Sequence, residues 1–209
     1  WNEYKYGKDE ADYKRLKSLR NSKADPRNFG KDLVRFNYES REDMFDGVSY
    51  NKGGGILHML RNYLGDDAFF GGLSDYLKTN EYGTGEAHQL RLSLEKVSGK
   101  DLNWFFNQWY FGKGYPKLEV KSTFDPMKKQ VTINVAQTQE EKFEFPLSID
   151  VLENGKISRK EVWVNAKSKN DFVFDVTKNP ELINANPEGL LLSDIKQDKT
   201  PEQLFLQYT

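Results

Sequence analysis

The sequence predicts an α+β chain, with helices in the first half and a small β-sandwich in the second. Three observations carry that expectation. Between Ser49 and Gly112 the apolar residues recur at helical spacing with recognisable starts and stops; after Gly114-Tyr115-Pro116 the apolar period drops to two; and Asn154-Gly155 between two alternating runs is a strong short hairpin signal. At 209 residues the chain can bury two modest cores. The expected divisions are 1–114, helical; 117–197, a β-sandwich; and 198–209, the opening of a further helical part.

Residues 1–20 keep a helical rhythm through Tyr6, Tyr13, Leu16 and Leu19. The first residues, Trp1 to Tyr6, show no signal-peptide layout, initiator methionine or capping signal, and read as the interior of a helix that begins further upstream. From Asn21 to Gly47 the chain is polar, with Pro26, Gly30 and the short apolar pair Leu33-Val34, and is expected to be a long ordered connection or an active-site loop. Ser49 then reads as the N-cap of a helix carrying Ile56, Leu57, Met59, Leu60 and Tyr63 to a stop at Gly65. Asp66 opens the next, whose stripe is Phe69, Phe70, Leu73, Tyr76 and Leu77, ended by Asn80 to Gly85. A third runs from about Glu86 to Val97 with Gly99 beyond it. A fourth starts at Asp101 and carries Leu102, Trp104, Phe105, Phe106 and Trp109 to Gly112.

Beyond Pro116, Leu118, Val120 and Phe124 alternate with polar residues, Asp125-Pro126 turns the chain, and Val131, Ile133 and Val135 alternate again. Leu147, Ile149 and Val151 lead into the Asn154-Gly155 turn, with Val162 and Val164 on the return. Further strands are expected at Phe172 to Val176 and at Leu190 to Leu192. Thr200-Pro201-Glu202 reads as an N-cap with proline at the first helical position, so Leu204 to Tyr208 should form a helical turn.

Composition excludes several roles. Lys plus Arg number 31 against 32 Asp plus Glu, a net charge of −1, which offers none of the basic excess that phosphate backbones attract; no nucleic-acid partner is expected. Mean hydropathy is −0.81 and no apolar run is long enough to span a membrane. The absence of cysteine rules out disulfides, thiol nucleophiles and Cys-ligated metals, and leaves the redox compartment open. The scattered charges of both signs read as solvated surface.

Candidate chemistry is sparse. His58 and His88 are the only histidines and do not have H-E-x-x-H spacing, so no zinc site can be read here; His58, amid Ile56, Leu57, Met59 and Leu60, reads as a helix-packing residue and His88 as exposed. No G-x-S-x-G nucleophile elbow occurs. Gly53-Gly54-Gly55 lacks the rest of a phosphate-binding loop and reads as small residues for close helix packing, and the aromatics at 104–106 and 109–111 read as core. Tyr50 stands at the junction of the long loop and the glycine-rich helix start. A hydroxyl there could donate to an oxyanion, though by residue pattern alone an ordinary packed tyrosine is the favoured reading.

The segment from Ser49-Tyr50-Asn51-Lys52-Gly53-Gly54-Gly55 through Ile56-Leu57-His58-Met59-Leu60-Arg61 resembles the stretch around the catalytic tyrosine of the aminopeptidase N family of zinc metallopeptidases, the gluzincins. Leu64-Gly65-Asp66-Asp67-Ala68-Phe69-Phe70, Tyr76-Leu77, Val97-Ser98-Gly99-Lys100-Asp101-Leu102-Asn103-Trp104-Phe105-Phe106-Asn107-Gln108-Trp109 and Gly114-Tyr115-Pro116 follow in the family's order. The resemblance implies that 1–114 is the helical C-terminal part of a thermolysin-like catalytic domain, beginning just after the metal site, and that 117–197 is the family's small β-sandwich. It implies a zinc-dependent enzyme that removes N-terminal residues from peptide substrates, exported or periplasmic, with Tyr50 donating to the oxyanion. The H-E-x-x-H pair, the third glutamate ligand and the G-A-M-E-N amine-binding strand would precede Trp1. Zinc is therefore expected in a full-length parent and not in this chain, which alone is expected to be inactive. Asn51 and Gly47-Val48 depart from the family's usual residues and bear on substrate preference. A non-catalytic scaffold that kept the fold is the alternative.

Overall fold

The computed structural model describes residues 2–23 and 30–207. Trp1, Pro26 and Tyr208, which figure in the sequence expectations, lie outside the described residues. The α+β class is as expected. The chain divides into two compact units, Trp1–Gly114 and Tyr115–Thr209.

In the first unit, α1 (Asn2–Tyr6) and α2 (Lys8–Lys23) are separated at Gly7, whose φ of +87° interrupts the continuous helix expected over 1–20. Helix α2 extends past Asn21, so the long connection begins later than expected. Within it, Ser40 caps a short 3₁₀ turn, Arg41–Met44, with Asp43 reaching back in a capping box. A five-residue π-turn, Val48–Lys52, then runs directly into α3 (Gly53–Leu64). Ser49 is thus inside the turn and is not the N-cap; the capping oxygen comes from Asp46 Oδ1, which accepts the Ser49 N–H at 2.9 Å. Gly65, at φ +84°, ends α3.

Helices α4 (Asp66–Thr79) and α5 (Ala87–Ser98) pack on each other closely enough that Gly72 faces the Leu94 backbone. Glu86 and Gln89 form a capping box at the start of α5, and Gly99 closes it in the left-handed region at φ +69°. Helix α6 (Asn103–Trp109) stops before the expected Gly112. It buries Phe105, Phe106 and Trp109, with Tyr110 just beyond its end, so these aromatics are core, as their spacing indicated.

The second unit holds two sheets. Strands β1 (Lys117–Asp125), β2 (Gln130–Gln137), β5 (Lys169–Asp175) and β7 (Asp194–Lys196) form one, in the order β5-β2-β1-β7 with β7 parallel to β1. Strands β3 (Phe145–Glu153), β4 (Lys156–Val164) and β6 (Leu182–Ala185) form the other, in the order β4-β3-β6. Val131, Ile133 and Val135 on β2 and Phe145, Leu147, Ile149 and Val151 on β3 are buried, the period-2 pattern that defined the strands. The β3–β4 turn is Asn154-Gly155, both at positive φ, between paired Glu153 and Lys156.

The expected strand at Leu190 to Leu192 is a loop. Asn186 Oδ1 accepts the Leu191 N–H and its Nδ2 donates to the Leu191 carbonyl, which withdraws that backbone from any ladder; the strand lies at Asp194–Lys196 instead. The strand at Leu182–Ala185 was missed because all four residues are buried and the run shows no alternation. At the end of the described chain, α7 (Pro201–Gln207) is capped by Thr200 Oγ1 on the Gln203 N–H, while Gln203 Oε1 accepts the Thr200 N–H.

Candidate active site around Tyr50

Tyr50 sits in the middle of the π-turn, a geometry that is rare in proteins and is found disproportionately at functional sites. The Gly53 N–H donates to both Val48 O and Tyr50 O, and the Tyr50 N–H donates to Asp46 O at 3.1 Å. The side chain is 64% exposed. Its ring lies against Phe45, centroids 6.2 Å apart, and its hydroxyl has no hydrogen-bond partner among the described residues. The packed tyrosine favoured by residue pattern alone is therefore not what the fold builds.

The turn is held from both sides by charged groups. On the entering side, Asp46 accepts the Ser49 N–H through Oδ1 and the Arg35 guanidinium through Oδ2 at 3.1 Å. Burial pushes the Asp46 carboxyl up, but these two donors outweigh it and its pKa lies below the ordinary value. Arg35 is itself tied down, Nη1 to the Asp32 carbonyl at 3.3 Å and Nη2 to Met44 Sδ at 3.4 Å. On the leaving side, Lys52 is wholly buried, and its Nζ donates to Lys31 O at 2.8 Å and Gly112 O at 3.4 Å. Burial, reinforced by Arg35 and partly offset by Asp32, depresses its pKa from 10.5 to about 8.

Small residues bring α3 close to its neighbours. A Cβ at Gly53 would come within 3.2 Å of Leu33 Cδ1, and one at Gly55 within 2.9 Å of Leu19 Cδ2; Gly54 faces open space. Two of the three glycines thus serve packing. Beside the turn, Asp32, Arg35, Phe36, Tyr38, Asp46 and Lys113 line a cavity of about 790 Å³. Tyr50 does not line it.

The histidines take no part in the turn. His58 lies on α3, its Nε2 3.2 Å from Asn62 Nδ2, and its pKa is lowered to about 4, chiefly by burial and then by Arg15, so it is neutral at physiological pH. His88 is exposed and stacks on Phe111 at 5.1 Å. Among the described residues no group of three or more His, Asp or Glu could hold a metal ion.

Sequence reading does not find Lys52, Arg35 and Asp46, because scattered charges of both signs read as solvated surface. For Lys52 a signal existed. Val48, Lys52, Gly55, Ile56 and Met59 follow one helical stripe and all are buried, so a lysine stands at an apolar position.

Residues 12–109 match the Peptidase family M1 domain. The leucyl aminopeptidase of Saccharolobus solfataricus is 28% identical over 154 residues, 71% of this chain and 18% of the relative. Aminopeptidase N of Lactococcus lactis is 29% identical over 165 residues, 74% of this chain and 19% of the relative. The tricorn protease-interacting factor F2 of Thermoplasma volcanium is 42% identical over 77 residues, covering 37% of this chain and 10% of the relative. The chain therefore spans between 10% and 19% of the length of these curated relatives. Among solved structures, Legionella pneumophila aminopeptidase A in complex with aspartic acid matches 98% of this chain and 23% of its own, with a TM-score of 0.77 at 18% sequence identity, a likeness of fold. No helix among the described residues is long and apolar enough to cross a membrane.

Proposed function

We propose that the chain is part of a zinc-dependent aminopeptidase acting on peptide substrates, and that Tyr50 is its catalytic contribution. The observation that carries this reading is the braced π-turn, which presents an exposed phenol with no hydrogen-bond partner among the described residues, from within the segment that matches the M1 family. A donor left free in this way can be aimed at charge that develops only in the transition state. In the proposed reaction the Tyr50 O–H donates a hydrogen bond to the oxyanion formed when water adds to the scissile carbonyl. On this reading the metal ligands and the base would lie outside the given residues, and zinc held there would supply carbonyl polarisation and water activation. The same reading assigns 1–114 to the later helical part of the catalytic domain, 117–197 to the β-sandwich and 198–209 to the opening of a further helical part.

The test is cleavage of aminoacyl reporter substrates by the longer protein this reading requires. Release of the N-terminal residue, lost on chelation and restored by zinc, is the expected result. A longer protein with intact ligands and one bound zinc that cleaves none of a broad panel of aminoacyl reporters would overturn the proposal in favour of a scaffold.

A further inference from the structure

The Tyr50 hydroxyl is free of protein partners among the described residues, so where that hydroxyl points depends on the backbone of the turn and on the contact with Phe45. A phenol oxygen lies at the far end of a long, stiff side chain, so a small tilt of the turn moves it by a larger distance.

Lys52, two residues on, is an expensive way to fill a buried helical position. Desolvating a cation is costly, and hydrogen bonds from a charged donor return only part of that cost. A leucine or methionine would fill the volume with no such charge. What the ammonium does that no apolar side chain can is to tie the turn to two backbone carbonyls, one 21 and the other 60 residues away in sequence. The Arg35–Asp46 pair does the corresponding work at the other end, where Asp46 holds the Ser49 N–H through its side chain and the Tyr50 N–H through its carbonyl.

We infer that Lys52, together with the Arg35–Asp46 pair, is a positioning residue for Tyr50, fixing the π-turn so that the phenol hydroxyl meets the oxyanion. The inference rests on the catalytic reading of Tyr50 given above. Lys52 touches neither substrate nor reacting atoms; its effect on rate passes through the tyrosine. Displacement of a reacting group by about 1 Å can lower the rate by on the order of 100-fold.

The test is a double-mutant cycle in the full-length peptidase with Lys52→Met, Tyr50→Phe and the pair, with zinc content and Tm measured on each. Lys52→Met alone should lower kcat by about 10- to 100-fold with KM within about threefold. Once Tyr50 is phenylalanine, the same lysine change should alter kcat by less than about twofold, because the group it positions is gone. Equal losses in both backgrounds, or an unchanged kcat in Lys52→Met, overturn the inference. A large Tyr50→Phe loss beside a silent Lys52→Met overturns the inference alone. A Tyr50→Phe enzyme within about threefold of wild type overturns the catalytic reading and the inference with it. Should Lys52→Met fail to fold, Asp46→Asn loosens the same turn from its other end and replaces it in the cycle with the same outcomes.

Discussion

Replacing Lys52 by methionine should leave stability at neutral pH nearly unchanged while removing the rise of stability with pH that this buried ammonium contributes. The folded pKa of Lys52 is depressed from 10.5 to about 8, chiefly by burial. A folded value below the unfolded one means that the unfolded chain binds more protons between the two, so stability rises with pH across that window. The penalty is present in full below the folded pKa of about 8 and is relieved as pH rises toward 10.5. At about 1.4 kcal/mol per pKa unit, it amounts to roughly 3 kcal/mol at pH 7. Against this, methionine leaves the Lys31 and Gly112 carbonyls without the donor they now have, a loss of about 1–3 kcal/mol. The two effects nearly cancel, and the variant should lie within about 1 kcal/mol of wild type at pH 7. By pH 9.5 most of the wild-type penalty is gone, so the difference between the two proteins should shift by about 2 kcal/mol in favour of wild type. Urea titrations of the 209-residue chain and its variant at both pH values, followed by tryptophan fluorescence, measure this; Trp104 and Trp109 share the unit with Lys52. A difference constant within about 0.5 kcal/mol between the two pH values would mean that Lys52 titrates as an exposed lysine, contrary to its burial.

Three further outcomes can be checked. The 209-residue chain alone should bind no stoichiometric zinc and cleave no aminoacyl reporter; about one tightly held zinc per chain with chelator-sensitive cleavage would contradict the proposed placement of the ligands outside it. Gly72→Ala places a Cβ 2.6 Å from Leu94 Cδ2 and 3.0 Å from Leu94 Cα, where backbone cannot give way, and should destabilise the first unit by about 1–3 kcal/mol in urea unfolding, whereas Gly54→Ala, facing open space, should be neutral or stabilising. Gly155→Val, a β-branched residue forced to the φ of +68° found at the β3–β4 turn, should cost about 1–3 kcal/mol in the second unit.

Much of the secondary structure was legible because its signals are local. The helical spacing over 66–79, the Thr200 cap, the left-handed Gly99 and the Asn154-Gly155 turn each depend on residues a few positions apart and appear where the sequence places them, whereas Phe70 and Leu77 of the expected stripe are exposed. What was not legible depends on partners distant in sequence. Leu182–Ala185 is a strand because β3 pairs with it, and Leu190 to Leu192 is a loop because Asn186 folds back on Leu191. The π-turn was read as an ordinary helix start at Ser49, since nothing within the run Val48 to Lys52 says that Asp46 caps it and Arg35 holds Asp46. Tyr50 was singled out by its neighbours in sequence, but its exposure and the buried lysine behind it emerge only when residues 31, 35, 46 and 112 come together.

On the proposed reading the Tyr50 hydroxyl acts in the transition state. Tyr50→Phe in the longer protein that the proposed function requires deletes that hydroxyl and keeps the ring that meets Phe45, so folding and metal content should not change. Steady-state kinetics on a short aminoacyl substrate, with zinc content and Tm verified on the same preparation, should show kcat reduced by on the order of 10²–10³-fold and KM little altered. A fully metallated, folded variant whose kcat stays within about threefold of wild type would show that the hydroxyl stabilises nothing in the transition state and that Tyr50 has no catalytic role.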